Sequence, residues 1–370
     1  MMVTIFSAII VIGLLILVHE LGHFIVAKRT GVKVERFSIG FGPVLFAVKK
    51  GETEYCVSAV PFGGYVKMLG EGNVEEVDPS EYHRSFAHKP VWVRMAIVAA
   101  GPLANVFLAV VFFWVVYTIA GMPYIIPEIG EVSPDSPAQQ SGIQKGDLIL
   151  KVNGQDVRTW QEVADKIQSW QEGDEPIEFI IQRGDELIAL RVTPRVQETT
   201  NLFGEKVFKP MIGVMASGRV SIEKIGPFKA FAKSMEQIVS VTWLFFVTLG
   251  KLIQGILPFN TIGGPILIAQ MAGQQAQAGF FPFLNFIALL SLNLAVINLL
   301  PFPALDGGYI VLFAIEAITR RKIREKIIER IQKIGFALLI VLMVAVFYND
   351  IVRIFPWILG IFGLSGAQPK

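Results

Sequence analysis

Four stretches of this chain read as bilayer crossings, with the polar stretch 124–222 between the first pair and the second. The first covers 3–27 and carries almost no polar group from Ile5 to Val18. Lys28, Arg29, Lys33 and Arg36 follow it, so the positive-inside rule puts this end in the cytoplasm and the start outside. The start has neither a basic leader nor a small-x-small cleavage signal, so a retained helix is expected rather than a signal peptide. The second stretch, 92–122, has Arg94 at its cytoplasmic end and Gly121-Met122-Pro123 outside. It opens on Ala99-Ala100-Gly101-Pro102-Leu103-Ala104-Asn105, small residues that let membrane helices approach closely. Asn105 is expected to join another helix by a hydrogen bond rather than to act in catalysis. The third stretch, 283–305, carries Asn285, Asn293 and Asn298, which cannot all face lipid. The fourth, with its core at 334–348, follows the basic run Arg320-Arg321-Lys322-Ile323-Arg324, which the same charge rule places in the cytoplasm. The tail 351–364, interrupted by Arg353 and Pro356, is expected in the outer interface.

Between these runs the pattern changes. Phe37-Ser38-Ile39-Gly40-Phe41-Gly42-Pro43 and Pro61-Phe62-Gly63-Gly64-Tyr65-Val66-Lys67-Met68 are Gly-rich patches in β-type sequence. Residues 45–49 and 53–60 read as strands around Lys50-Gly51-Glu52. Apolar strands are tolerated at membrane depth where they border protein or a wet cavity, so a re-entrant β loop and an ordinary cytoplasmic hairpin both fit. Residues 71–81 form an acidic loop, with His83 and His88 expected on the surface. Residues 223–282 begin with Phe228, Phe231, Met235 and Ile238 on one face and Lys229, Lys233 and Glu236 on the other, the pattern of an interfacial helix, while Val241–Leu257 after it is apolar enough to suggest a further crossing.

Residues 124–222 break the apolar pattern. Asn153-Gly154 marks a tight turn, and Thr159 with Glu162 a capping box. Trp160, Val163, Ala164 and Ile167 mark the buried stripe of a short helix, and 176–182 with 186–193 a hairpin. These strands and short helices resemble a PDZ domain of the bacterial protease type. Such domains capture peptides by strand addition, for which Ile129-Gly130-Glu131-Val132 is the candidate segment. The chain thus divides into a membrane half at 1–122, a PDZ-like domain at 123–222, an interfacial segment at 223–282 and a second membrane half at 283–370.

Composition agrees: 370 residues are 53% hydrophobic and 17% charged, below the roughly 25% charge of soluble domains. A net charge of +2 gives no argument for nucleic acid, and a single cysteine, Cys56, excludes an internal disulfide framework.

The chemistry concentrates inside the first apolar run, at His19-Glu20-Leu21-Gly22-His23. Ionisable residues at membrane depth cost a few kcal/mol each and mark functional sites. On a helix His19 and His23 are i and i+4 and share a face, which lets them grip one zinc ion with Glu20 beside it as general base. A catalytic zinc site takes three protein ligands. Cys56 lies outside the spans and Glu20 points away from its neighbour's face, so Asp306, beside Gly307 and Gly308, is the remaining candidate. Asp306 must then arrive on the cytoplasmic side, which requires an odd number of crossings between 222 and 306. Residues 283–300 supply one, which argues against 236–257 as another and gives four spans.

His19-Glu20-Leu21-Gly22-His23, the PDZ-like insert and Asn298-Leu299-Leu300-Pro301-Phe302-Pro303-Ala304-Leu305-Asp306-Gly307 together resemble the site-2 protease family, closest to its RseP-like (regulator of sigma-E protease) branch, over essentially the whole chain. The resemblance implies a polytopic α-helical protein of the bacterial cytoplasmic membrane, with four transmembrane helices, a re-entrant β loop and one extracytoplasmic α+β PDZ-like domain. It implies an intramembrane endopeptidase with one Zn2+ per chain, held by His19, His23 and Asp306, with Glu20 as base. Asn298 matches a residue that supports substrate or the transition state, and Gly40-Phe41-Gly42 with Gly63-Gly64 match the re-entrant loop. The implied substrates are single-pass membrane proteins already trimmed by another protease, such as anti-sigma factors and signal-peptide remnants. Enterobacterial relatives carry two tandem PDZ domains; this chain has room for one, so gating by a PDZ pair does not carry over. The competing class is a non-enzymatic membrane receptor or scaffold, with a closed, structural metal site.

Overall fold

The computed structural model describes residues 2–72, 77–201 and 203–361. They form two compact units. One comprises 1–116, 231–246 and 259–370, the other 117–230 and 247–258.

The first unit begins with α1 (Met2–Arg29). Gly31, at φ 71°, ends it: Val32 N–H bonds Ala27 O at 2.9 Å and Gly31 N–H bonds Lys28 O at 3.1 Å, a Schellman stop. Then come β1 (Val34–Lys50), β2 (Thr53–Met68) and α2 (Val91–Ile119), which holds Pro102 in its interior. β1 and β2 each bend at a Gly-rich corner and so supply two strands apiece. Phe37 pairs with Val66 on one side and Tyr55 on the other, while Phe46 pairs back onto Val57. The result is a four-stranded mixed sheet in the order 44–50, 53–60, 34–41, 64–68, whose two inner strands run parallel while each outer strand pairs antiparallel with its neighbour. Gly40, at φ 93°, makes one corner, and a Cβ there would sit 2.8 Å from Val60 O. The strands expected at 45–49 and 53–60 are present; the expected Gly-rich patches turn out to supply its corners, the inner strand 34–41 and the edge strand 64–68. Leu45, Phe46 and Val48 are exposed, an apolar surface that suits lipid. At the tip, Lys28 and Arg84 bond Glu52 and hold its carboxyl below the usual range.

The second unit opens on β3 (Met122–Ile125) and β4 (Ile129–Val132), followed by the single-turn α3 (Pro137–Gln140). β5 (Leu148–Val152), β6 (Gln155–Asp156), α4 (Trp160–Gln168), β7 (Ile177–Arg183) and β8 (Glu186–Val192) come next. The expected capping box on α4 is formed in both directions. The sheet runs β6-β5-β7-β8. Ile149, Val152, Val163, Phe179, Ile181 and Val192 fill its core, and buried Asp147 is held by Arg183 at 2.7 and 2.8 Å. β9 (Arg195–Thr200) pairs with β10 (Lys206–Met211), β11 (Val214–Ala216) with β4, and β12 (Val220–Glu223) with β3.

α5 (Pro227–Ile253) is one continuous helix, longer than the amphipathic segment expected there. Near its two ends Lys229 pairs with Glu223 at 2.8 Å and Lys251 with Glu205 at 2.6 Å. Back in the first unit, α6 (Pro265–Ala278) is a helix that no apolar run foretells. α7 (Phe280–Leu299), α8 (Asp306–Thr319) and α9 (Glu325–Ile361) complete the described chain. Residues 351–361 of the expected interfacial tail continue α9, and 362–364 lie outside the described residues. Gly273 packs α6 against Thr4 at the start of α1; a Cβ there would sit 2.6 Å from Thr4 Oγ1.

Asp350 on α9 is 1% exposed and caps α6 from across the fold. Its carboxylate accepts from Gly264 N and Ile266 N at 2.9 Å and from Leu267 N at 3.2 Å. Three otherwise orphaned N–H groups at a helix start are satisfied by one negative charge. Asp350→Ala will therefore lower stability by about 2–3 kcal/mol, with Asp350→Asn intermediate, measured by thermal unfolding in detergent. A change within about 0.5 kcal/mol, the range of ordinary surface substitutions, would mean that other groups replace the cap.

Candidate metal centre

α1 presents His19 and His23 one turn apart, and α2 packs across it with almost no side chain between. A Cβ on Gly22 would sit 2.2 Å from Ala100 O. A Cβ on Gly101 would sit 2.3 Å from His23 Nε2 and 2.9 Å from His19 Cε1. Gly101 is therefore the floor on which both imidazoles lie. Gly101→Ala will weaken zinc binding tenfold or more, read by competition with a chelator, because both rings must leave their place. Wild-type affinity would show that the rings yield without cost.

Asp306 is the first residue of α8. It is delivered by a tight return from α7: a Cβ on Gly307 would sit 2.1 Å from Leu300 O, and one on Gly308 2.5 Å from Phe302 O. Ala304, in the left-handed region at φ 74°, donates its N–H to Gln332 Oε1 of α9 at 2.7 Å. Buried Arg94 of α2 pairs with Glu316 and lies over the Phe313 ring at 4.6 Å, which fastens α8 further along.

The three side chains converge. His19 Nε2 lies 3.1 Å from Asp306 Oδ2 and 3.2 Å from His23 Nε2, and His23 Nε2 lies 3.7 Å from the same oxygen. Both rings are largely buried, at 13% and 12% exposure. His23 Nδ1 faces Ile97 O at 2.8 Å, which puts its proton on Nδ1 and leaves the Nε2 lone pair facing the centre. Two imidazole lone pairs and a carboxylate oxygen aimed at one point repel unless a cation lies among them. Two nitrogens and one oxygen suit zinc and leave a position open.

Glu20 lines a cavity of about 400 Å³ together with His19, His23 and Asp306. Gly64 leaves room for it, since a Cβ there would sit 3.0 Å from Glu20 Cγ. Tyr65 and Val66, next along the 64–68 strand, border the same cavity. That strand pairs on one side only, with 34–39, among the described residues. The far wall comes from Lys322, Ile328, Glu329 and Gln332.

Other expected residues fall elsewhere. Asn298, half-buried in the last turn of α7, is not among the lining residues, nor are Gly40, Phe41, Gly42 and Gly63. Phe41 does stack on Tyr65, at 6.1 Å between ring centroids. His83 is exposed, and His88 is held by Ser85 and stacked on Tyr82, away from the centre. Ile129-Gly130-Glu131-Val132 has β11 on one edge, while its other edge is engaged at Ile129 by Asp147 O and Gly146 N, both at 2.8 Å. The expected addition of a peptide to this segment therefore has no free edge at Ile129. β11 pairs only with β4 among the described residues and offers an edge instead. Gly101 and Gln332 were missed, because each acts through a neighbour distant in sequence.

Comparison with known proteins places these motifs in context. A family model described as peptidase family M50 matches residues 7–342. The zinc metalloprotease RasP of Geobacillus kaustophilus is 31% identical over 430 residues, covering 95% of this chain and 98% of that protein. A candidate zinc metalloprotease of Clostridium perfringens is 39% identical over 350 residues, covering 94% and 98%. One from Clostridium acetobutylicum is 36% identical over 348 residues, covering 93% and 96%. Among solved structures, the PDZ domain of an SdrC-like protein from Listeria monocytogenes is 25% identical, covering 25% of this chain and 88% of that one at a TM-score of 0.21.

Proposed function

This chain belongs to peptidase family M50, the site-2 protease family, and from that premise we propose that it is a zinc endopeptidase that cuts the transmembrane segments of single-pass membrane proteins. The observation that carries the reading is the meeting of His19, His23 and Asp306 beside Glu20, on a helix apolar enough to span a bilayer. Zinc, when bound by these three side chains, supplies Lewis acidity: it acidifies water at the site and polarises a carbonyl.

The chain's own residues do the rest. Glu20 takes a proton from the attacking water and returns one to the leaving amine. A helical substrate hides its carbonyls in its own hydrogen bonds, so it has to unwind before attack. The open edge of 64–68 beside Glu20 supports capture of the unwound segment as an added strand. Water enters past the α8–α9 wall, where the charges of Lys322 and Glu329 favour a wet path.

Among the described residues, five helices are long and apolar enough to cross a membrane, α5 being the least hydropathic. We read four as crossings. Lys229 and Lys251, near opposite ends of α5, both pair with the inserted unit, which argues that α5 starts and ends on one side. The packing of α6 on Thr4 supports the same side, that of the start of α1. α7 then returns Asp306 to the His23 end. The inserted unit is extracytoplasmic on this reading and the catalytic centre lies toward the cytoplasm of a bacterial inner membrane. Anti-sigma factors and signal-peptide remnants, trimmed first by another protease, are the substrate classes that fit.

Quantitative membrane proteomics of cells expressing the wild type or Glu20→Gln tests this. Stabilised single-pass fragments in the variant are expected; identical membrane proteomes would remove the protease reading.

A further inference from the structure

Both imidazoles of the centre must present Nε2 and carry their proton on Nδ1. His23 is served by a main-chain carbonyl, Ile97 O at 2.8 Å, which no substitution removes. His19 Nδ1 faces a side chain instead: the Asn105 amide nitrogen lies 3.5 Å away. An amide nitrogen is a donor, and so is an Nδ1 that carries a proton, so this pairing cannot serve a His19 that binds metal through Nε2. Asn105 is fully buried, and its Oδ1 has no hydrogen-bond partner. The acceptor that His19 needs and the acceptor that Asn105 leaves unused belong to one side chain. A half-turn of the amide exchanges the two atoms. The backbone of Asn105 is held meanwhile, since its carbonyl accepts from Ser291 Oγ of α7 at 2.8 Å.

We propose that Asn105 is a positioning residue for the metal centre: its Oδ1 accepts the Nδ1 proton of His19 and thereby keeps Nε2 free to bind zinc. Asn105 is then more than a link between helices. Outer partners of this kind are worth about 10–100-fold in metal affinity. The proposal rests on the reading of His19 as a zinc ligand, and its test has one arm that does not.

The test uses full-length protein in detergent with two substitutions. Asn105→Leu removes both polar atoms at similar volume; Asn105→Asp keeps acceptors and removes the donor. In the first arm, zinc affinity is measured by chelator competition, alongside the absorption bands of the cobalt-substituted protein. Asn105→Leu is expected to bind about 10–100-fold more weakly with altered cobalt bands, and Asn105→Asp to stay within about threefold of the wild type. In the second arm, metal-free protein with 15N-labelled histidine is examined at pH 8.5. The wild type and Asn105→Asp are expected to hold the His19 proton on Nδ1, and Asn105→Leu to shift it toward Nε2. Wild-type zinc affinity in Asn105→Leu, or equal losses in both variants, overturns the proposal. Should Asn105→Leu not fold, a tenfold loss in Asn105→Asp alone does so. A preserved tautomer pattern without zinc binding to any form would instead strike the metal reading and leave the hydrogen bond standing.

Discussion

Glu20→Gln will keep its zinc and lose turnover by at least about 10²–10⁴-fold, the share that a positioned general base contributes. The reasoning is geometric. Glu20 lines the cavity beside the metal-binding trio but is not one of the three converging donors. Glutamine has the same length, so its stem still fits against Gly64, while its amide cannot take a proton from water. Metal content by atomic emission and cleavage of a transmembrane substrate in vesicles, measured on the same preparation, separate the two roles. Loss of zinc together with activity would make Glu20 a ligand, and normal turnover would remove it from the chemistry.

Asp306→Ala will lose both zinc and activity. It removes the only carboxylate of the trio and leaves two imidazole nitrogens 3.2 Å apart without a counter-charge. The fall in zinc affinity will exceed the about 10–100-fold typical of outer-shell partners. The fold will survive, because α8 stays fastened by Arg94 and Glu316 and by the packing of Gly307 and Gly308 on the end of α7. Unfolding of the metal-free variant at the temperature of the metal-free wild type checks that point. Full zinc occupancy in Asp306→Ala would take Asp306 out of the centre.

The two ends of the metal centre could be read from the chain by different routes. His19, Glu20 and His23 stand out because charged groups are costly in an apolar run. Asp306 emerged from the need for a third ligand on the same side. What joins them was hidden. Gly101 looks like one small residue among several, and only the crossing of α1 and α2 makes it the floor under both rings. α6 has no apolar run because its sequence turns to Gln-rich residues, and its start is capped by Asp350, 86 residues further on. Asp350 carries no mark of that role in the sequence, because the N–H groups it caps lie on another helix. The short strands around Gly51 were legible, but their doubling into four strands depends on corners at Gly40 and Gly63 whose partners lie across the sheet. Ile129–Val132 has good strand composition, yet composition does not reveal that β11 takes one edge and the 146–147 turn engages the other at Ile129.

The central claim is hydrolysis within the membrane by this one site, and mapping the cut tests it most directly. A purified single-pass substrate is incubated with the protein in lipid vesicles, and its fragments are sized by mass spectrometry for the wild type and Glu20→Gln. The account predicts a cut inside the substrate's hydrophobic segment with the wild type and none with the variant. A cut in the soluble flank, or the same fragments from both proteins, would contradict it.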